Sequence, residues 1–212
     1  MDDALFGKTQ IQPDALVWNF NLTYSLDRNN KLIAAFQKSF RAPNINDLSS
    51  FGPFDFGVEV PSTNLSPETA VGIDLGYSYY SKKTKVSIFA YQMYLRDLIV
   101  REAAQFNGSD TYNGENVYKK VNSDNATIQG IEASLDQSIG HWIMQAYICY
   151  TFGEERESKK PLRRIPPLNG GLSLGYNKEA WNIQLLYQFA DAQRRLSAGD
   201  ISDHRIPAGG TN

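Results

Sequence analysis

The stretch LNGGLSLGYNKEAWNIQLLYQF, residues 168–189, decides the fold of this chain. Large apolar side chains alternate with small or polar ones on both sides of the polar segment 177–180. A period of two residues is typical of a β-strand with two unlike faces, and two such strands joined by a short polar segment form an antiparallel hairpin. We therefore predict two neighbouring antiparallel strands here.

The same alternation recurs along the rest of the chain. It is found in six further stretches: residues 16–26, 32–40, 71–79, 85–100, 131–135 and 142–152. The run 85–100 is irregular, because Val86 and Ile88 oppose Phe89 and Tyr91, which predicts a bulge or a partly covered inner face. The pattern predicts an all-β fold, an antiparallel up-and-down meander of about eight strands, with no convincing helix.

The connections between these strands alternate in length. Short turns at residues 27–30, 81–84, 138–141 and 177–180 alternate with long polar segments at residues 43–68, 102–121 and 153–166 and from residue 191 onward. Transmembrane β-barrels have tight turns on one side of the membrane and longer loops on the other. Tyr79, Tyr80, Trp142 and Trp181 flank short turns, as expected of an aromatic girdle at the lipid headgroups. The connections therefore predict part of a transmembrane β-barrel.

The alternative fold is a soluble antiparallel sandwich or barrel, which also alternates along each strand. The polar face of the strands distinguishes the two. A sheet face exposed to water normally carries Lys, Glu, Thr and Arg, whereas these strands carry Gly, Asn, Gln and Ser. Small uncharged residues fit a crowded or plugged lumen, which favours the membrane barrel.

Composition excludes several classes of function. Of the 212 residues, 21 are basic and 23 acidic, so the chain has no polyelectrolyte character that would attract nucleic acid. Cys149 is the single cysteine and the histidines are His141 and His204, so neither a disulfide framework nor a zinc site is expected, and we predict no cofactor. The first residues lack a secretion signal, so an exported protein would be represented here by a mature part or a cut fragment.

Two motifs suggest chemistry, and their context argues against both. The run GLSLG, residues 171–175, satisfies the G-x-S-x-G pattern of serine hydrolases, but a nucleophile elbow needs a strand-to-helix turn and these residues lie within a predicted strand. The oxygen-rich segment 107–115 could hold calcium but lacks the ordered carboxylate spacing of a calcium loop. We predict no catalytic residue, no enzyme activity and no metal site.

Four motifs resemble the TonB-dependent outer-membrane receptors and occur in that family's order. They are SFRAPNINDL at 39–48, NLSPET at 64–69 with GIDLG at 72–76, NSDNATI at 122–128 with GIEA at 130–133, and a last group of RLS at 195–197, GD at 199–200 and RIPAGGT at 205–211. The resemblance implies uptake of a scarce nutrient through the outer membrane of a Gram-negative bacterium. The implied partners are the protein's own plug domain, the TonB energy-coupling complex, outer-membrane lipid and a small ligand.

The resemblance also implies that residues 1–212 are a partial barrel domain. Receptors of this family have barrels of about 22 strands, and this chain matches neither the plug domain nor the last strands. In the family, inward carboxylates matching Asp74 and Glu132 meet arginines of the plug. Asp74 departs from the glutamate that is usual at its position, and its side chain is one methylene group shorter.

Two groups of residues are candidates for ligand contact. Phe51, Phe54 and Phe56 form an apolar group in a polar loop, and Arg163 and Arg164 belong to a basic loop that could meet an anionic ligand or lipopolysaccharide phosphates. Packing of the loop on itself and solvation of the charges are the ordinary alternatives.

The loop between residues 43 and 64 contains no histidine, whereas haem receptors of the family tend to have one there. This favours a ferric siderophore or a cobalamin-like ligand over haem. A self-contained small outer-membrane barrel of structural or adhesive role and a soluble β-barrel binding protein remain the alternative functions.

Overall fold

The computed structural model describes residues 14–123, 125–201 and 203. His204 and the run 205–211 lie outside the described residues. In chain order the elements are β1 (Trp18–Ser25), β2 (Asn30–Arg41), α1 (Ile45–Ser49), β3 (Gly52–Phe54), β4 (Gly57–Val60), β5 (Glu68–Tyr80), β6 (Thr84–Arg96), β7 (Leu98–Ala103), β8 (Thr111–Tyr112), β9 (Glu115–Ser123), β10 (Ala126–Ile139), β11 (Trp142–Glu155), β12 (Asn169–Lys178), β13 (Trp181–Ala190) and α2 (Ala198–Ile201).

Eight strands form one antiparallel sheet in the order β1-β2-β5-β6-β10-β11-β12-β13. Neighbours in this order are also consecutive among the predicted strands, so the predicted meander is confirmed. Its register aligns the apolar positions: Ile131 lies opposite Tyr150, and Leu172 opposite Tyr187. A slip of one residue would move every apolar side chain to the other face, so the alternation, together with the short turns, specifies this register.

The four predicted short turns are also confirmed, and hydrogen bonds join them to neighbouring hairpins. The amide of Tyr80 donates to the carbonyl of Asn29 at 2.8 Å, and the amide of Ser138 donates to the carbonyl of Lys83 at 2.7 Å. Trp142 and Trp181 each begin the strand that follows a short turn and are exposed. These turns therefore form one hydrogen-bonded edge bordered by exposed indole rings.

The irregular run 85–100 has two physical causes. Phe89 and Tyr91 lie over glycines of neighbouring strands: a Cβ atom on Gly76 would lie 2.3 Å from the Phe89 ring, and one on Gly130 would lie 2.5 Å from the Tyr91 ring. Aromatic rings thus cover the bare backbone of the inner face, which breaks the simple alternation. Asp97 then separates β6 from β7 with φ +57°, so the predicted irregularity is a real interruption of the strand.

The long connections are more ordered than predicted. They supply a second sheet of order β3-β4-β9-β7, with β8 paired to β9 and with β4 and β9 parallel. The expectation of no helix was wrong, because α1 and α2 are present. Helices of five and four residues are too short to show a 3.6-residue period in the sequence.

Contacts divide the chain into two compact units, which we call the sheet unit and the loop unit. Among the described residues the sheet unit comprises 19–37, 71–94, 126–201 and 203, and the loop unit comprises 14–18, 38–70, 95–123 and 125. None of the helices in the described part of the chain is long and apolar enough to cross a membrane.

Apolar burial is distributed unevenly between these units. Val58, Val60 and Val117, in the loop unit, are buried, whereas Trp181 and Leu185, in the sheet unit, are each 67% exposed. A soluble sheet protein would bury the apolar face of its large sheet. An apolar face left open along a meander is instead the lipid-facing surface of a membrane barrel wall.

Candidate functional site

The first long connection begins with a helix whose N-terminus is capped by two reciprocal hydrogen bonds. The Asn44 side chain accepts a hydrogen bond from the Asp47 amide, and the Asp47 carboxylate accepts one from the Asn44 amide, each at 3.0 Å. This reciprocal pair is a capping box, which satisfies two amides that the first turn of a helix leaves unpaired. The run Pro43-Asn44 therefore starts α1, and Asp47 is held facing the interior of the loop unit, where it is 8% exposed.

Arg41 joins this helix to the start of β5. Its guanidinium group lies 2.6 Å from Asp47 Oδ2 and 2.5 Å from Glu68 Oε2. The other oxygen of Glu68 accepts a hydrogen bond from the Ile99 amide at 2.7 Å. One arginine thus connects the end of β2, α1 and β5, and Glu68 extends the connection to β7.

A second cation completes a network of six charged side chains. Lys120 Nζ lies 3.3 Å from Asp47 Oδ1 and 3.2 Å from Glu59 Oε1, and Glu59 also accepts a hydrogen bond from Arg101 Nε. Glu59 is only 4% exposed. Three cations therefore face three carboxylates, which keeps the interior of the loop unit neutral.

The electrostatics of Asp47 follow from these contacts. Burial opposes the charged form of the carboxyl, but the hydrogen bond from the Asn44 amide and the cations of Arg41 and Lys120 outweigh it, so the pKa of Asp47 is lowered below its ordinary value. Asp47 therefore stays ionised at neutral pH, and the network depends on that charge.

Asn122 joins its own strand, β9, to two other backbone segments in the same unit. Its Oδ1 accepts a hydrogen bond from the Ser66 amide at 2.7 Å, and its Nδ2 donates to the carbonyls of Ser66 at 2.9 Å and Asp97 at 2.7 Å. The amide side chain thus pairs with Ser66 as a strand residue would, and it also fixes Asp97 between β6 and β7.

The three phenylalanines predicted to contact a ligand all lie in the loop unit, but in two separate clusters. Phe51 packs against Phe106 and Tyr112, with ring centroids 5.6 and 5.8 Å away, and it is 46% exposed. Phe106 and Tyr112 are themselves 5.5 Å apart, so the three rings form one aromatic group from two connections.

The second cluster lies around β3 and is less exposed. Phe54 packs edge-on against Phe56 at 6.0 Å and Tyr118 at 5.4 Å, and the Arg101 guanidinium lies 4.6 Å from its ring centroid. Phe54 and Phe56 are half-buried. Packing within the loop unit therefore explains Phe54 and Phe56, and Phe51 is the candidate phenylalanine whose ring is open to solvent.

The two predicted arginines differ in their partners. Arg163 lies 2.7 Å from Asp203 Oδ2 and 3.4 Å from Asp200 Oδ1, and both carboxylates are buried. Arg164 reaches Asp203 only at 3.9 Å, and its side chain is 67% exposed. Arg163 thus holds the segment after β13 against the connection between β11 and β12, whereas Arg164 extends into solvent.

The two predicted inward carboxylates lie in the sheet unit. Asp74 Oδ2 is 3.4 Å from Gln37 Nε2, and Glu132 Oε1 is 3.8 Å from the sulfur of Cys149. Both contacts are long, so both carboxylates keep strong acceptor capacity. Each side chain points to the face on which the glycines lie, as the alternation predicts.

The two rejected chemical motifs have structural explanations. Residues 171–175 lie within β12, where Ser173 accepts a hydrogen bond from Gln184 Nε2 at 2.9 Å, so the serine is a strand residue. The segment 107–115 contains two tight turns in which Asn107, Gly108, Asn113 and Gly114 all have positive φ. Asn-Gly pairs are preferred in such hairpin turns, which accounts for their oxygen-rich composition. Among the described residues, no three His, Cys, Asp or Glu side chains converge to hold a metal ion.

A family model described as TonB dependent receptor-like, beta-barrel matches residues 2–208. The chain belongs to the TonB-dependent receptor family. This confirms the family indicated by the four motifs, and it supports a TonB-dependent barrel over the small self-contained barrel and the soluble binder. TonB-dependent receptors are outer-membrane transporters or receptors of Gram-negative bacteria rather than enzymes.

Two curated TonB-dependent relatives and one solved structure illustrate the match. The vitamin B12 transporter BtuB of Vibrio vulnificus strain YJ016 is 31% identical over 134 residues, 62% of this chain and 18% of that protein. The probable hemoglobin and hemoglobin-haptoglobin-binding protein 4 of Haemophilus influenzae is 25% identical over 156 residues, 67% of this chain and 16% of that protein. The siderophore receptor PirA from Acinetobacter baumannii superimposes with a TM-score of 0.65 and 19% identity, over 80% of this chain and 28% of that receptor. The chain thus spans less than a fifth of either curated relative.

The family motifs and the charged network share residues. Arg41, Asn44, Asp47, Glu68 and Asn122 all come from motif runs, and each makes the contacts described above. Three members of the network lie outside the motif runs, Glu59, Arg101 and Lys120, and of these sequence reasoning missed Arg101 and Lys120 altogether. The β-branched residues around Tyr118 were the signal that could have indicated β9 and, with it, the position of Lys120.

Proposed function

We propose that this chain forms part of the barrel wall of an outer-membrane nutrient transporter, with the loop unit on the ligand-receiving side. One observation carries the proposal: the large meander leaves its apolar face exposed, while two of its long connections build a compact unit of their own around a charge-balanced network. A lipid-facing wall needs the first property. A preorganised extracellular surface needs the second.

The proposed ligand is a ferric siderophore or a cobalamin-like molecule. The absence of histidine from residues 44–63 supports this choice, because an imidazole is a common ligand of haem iron. The relation to a vitamin B12 transporter agrees with it, and the relation to a haemoglobin-binding protein points the other way.

Growth tests on the whole receptor distinguish these ligands. The receptor would be expressed in a bacterium that lacks its own uptake systems and supplied with vitamin B12, ferric enterobactin or haemin. We expect growth on one of the first two that disappears when TonB is deleted. Growth on haemin alone would reject the proposed ligand class, and growth that does not depend on TonB would reject the transport mechanism.

We further propose that the inward carboxylates Asp74 and Glu132 contact the plug domain of the same protein. Both lie on the small-residue face of the large sheet and retain acceptor capacity for a donor such as an arginine. Glu132→Gln keeps the shape and removes the charge. We expect it to weaken retention of the plug, measured as increased antibiotic permeability of the outer membrane. Asp136→Asn, on the same strand and face but with its carboxylate already bonded to Gln145 at 2.7 Å, is the matched control.

The barrel assignment itself has a direct test. The chain would be refolded in detergent micelles, and its migration in gels compared before and after boiling. Heat-modifiable β structure that forms only in detergent is expected of a membrane wall. A cooperatively folded monomer in plain buffer would contradict the assignment.

A further inference from the structure

Two long connections build the loop unit, and one lysine of the second connection makes three contacts with the first. Lys120, in β9, donates a hydrogen bond to the carbonyl of Asn46 at 2.7 Å and lies 3.3 and 3.2 Å from the carboxylates of Asp47 and Glu59. An ammonium group has three donors, and all three partners belong to the first connection, residues 43–67.

These contacts are unlike those of an ordinary surface ion pair. The side chain of Lys120 is 13% exposed, and those of Asp47 and Glu59 are 10% and 5% exposed. Exposed pairs contribute little, because water and salt screen them. A buried charge whose partner is removed is strongly destabilising, so Lys120 adds to the hold that the parallel pairing of β4 with β9 gives the first connection, and it acts most directly on α1.

The aromatic group needs the same two connections. Phe51 comes from the first connection, and Phe106 and Tyr112 come from the second, residues 98–123. The three rings meet at centroid distances of 5.5 to 5.8 Å, two of the pairs edge-on. Aromatic pairs favour this geometry, but each pair contributes only modestly to stability. The arrangement of the rings therefore follows from the relative position of the two connections more than it determines that position.

We propose that Lys120 is a positioning residue that locks the first connection to the second, so that Phe51, Phe106 and Tyr112 present one composite aromatic surface to the ligand. The network that contains Lys120 pairs three cations with three carboxylates, so recognition at this surface comes from the rings rather than from a net charge. The ligand contact rests on the proposed function. The lock itself does not.

The lock is tested by hydrogen exchange in the whole receptor. Lys120→Met keeps an unbranched side chain of similar length and removes the charge, and Lys119→Met makes the same change at the preceding position of β9. We expect the first variant to accelerate exchange in α1 and β3 by about fivefold or more, because contacting groups couple to that extent. Lys119→Met should leave those rates unchanged, and Lys120→Arg should restore most of the protection.

Equal exchange rates in Lys120→Met and the unchanged receptor would overturn the lock. If Lys120→Met fails to fold, Lys120→Gln, which retains donors but no charge, is measured instead, with the same outcomes for and against.

Equilibrium binding of vitamin B12 and of ferric enterobactin separates the lock from the ligand contact. We expect Phe51→Ala and Lys120→Met to weaken binding of one of these probes by similar factors. Accelerated exchange with unchanged binding of both probes would refute the ligand surface and retain the lock. Unchanged exchange would refute the lock whatever the binding result.

Discussion

Asn122→Asp is the substitution whose effect the structure defines most sharply. The two side chains have nearly the same shape, but the carboxylate has no N–H to donate. The Nδ2 atom of Asn122 donates to the carbonyls of Ser66 and Asp97, at 2.9 and 2.7 Å. In the variant a carboxylate oxygen would face both carbonyl oxygens, so two attractive contacts become repulsive.

The magnitude follows from the two lost hydrogen bonds. A neutral hydrogen bond contributes about 0.5 to 1.5 kcal/mol, so two of them at a half-buried site contribute about 1 to 3 kcal/mol. That free energy corresponds to an increase of about 5- to 150-fold in local opening. The opening should affect the amides of residues 62–68 and 97–103, because Asn122 joins these two segments.

Hydrogen exchange resolved by peptide measures this increase directly. The matched control is Asn116→Asp, which adds the same charge to β9 at an exposed position. We expect the control to exchange like the unchanged receptor and Asn122→Asp to exchange faster in both segments. If the two variants exchange alike, the argument that Asn122 joins the backbone segments is refuted.

Three further predictions follow from other contacts. Gly171→Leu should lower the urea concentration at which the heat-modifiable form is lost, by an amount equivalent to about 1 to 3 kcal/mol, because a Cβ atom there would lie 2.5 Å from the Tyr147 ring. An unchanged urea midpoint would show that the ring moves away freely. Because the pKa of Asp47 is lowered in the folded state, its contribution to stability is present above its ordinary pKa near 4 and is lost as the pH falls through the lowered value. Hydrogen exchange in α1 should therefore accelerate only in that acidic range. Acceleration between pH 5 and 7 would point to another group. Arg163→Met should increase proteolysis of residues 191–201, because it leaves two buried carboxylates without their closest cation. Arg164→Met should not increase it. Equal cleavage of the two variants would contradict the ion-pair assignment.

The large sheet was predictable because each of its strands carries its own signal. The alternation in residues 142–152 and 168–189 can be read without knowledge of any partner strand, and the turns at 138–141 and 177–180 fix which strands are neighbours. The second sheet was not predictable in this way. Its strands are short, and β4 pairs in parallel with β9, a partner more than fifty residues away in the chain.

The candidate site was predictable only in part. Phe51 and Arg164 were selected as candidates for ligand contact, and the structure leaves both side chains exposed to solvent. Phe54, Phe56 and Arg163 were selected by the same reasoning, but other parts of the chain already contact them: the two rings pack within the loop unit, and Arg163 pairs with carboxylates of the segment after β13. Residue type identifies a group that can bind a ligand, but it does not reveal whether another part of the same chain has already bound it.

The sequence by itself determined the fold class, the order of the strands in the large sheet and the family, because alternation, turn composition and motif order are properties of residues close together in the chain. Only the tertiary structure decided what the motif residues do. Arg41, Asp47 and Glu68 are unremarkable polar residues until folding brings Lys120 and Ile99 to them from the second connection. Ion pairs and hydrogen bonds act over a few ångströms, so their partners are set by how the chain closes on itself rather than by local pattern.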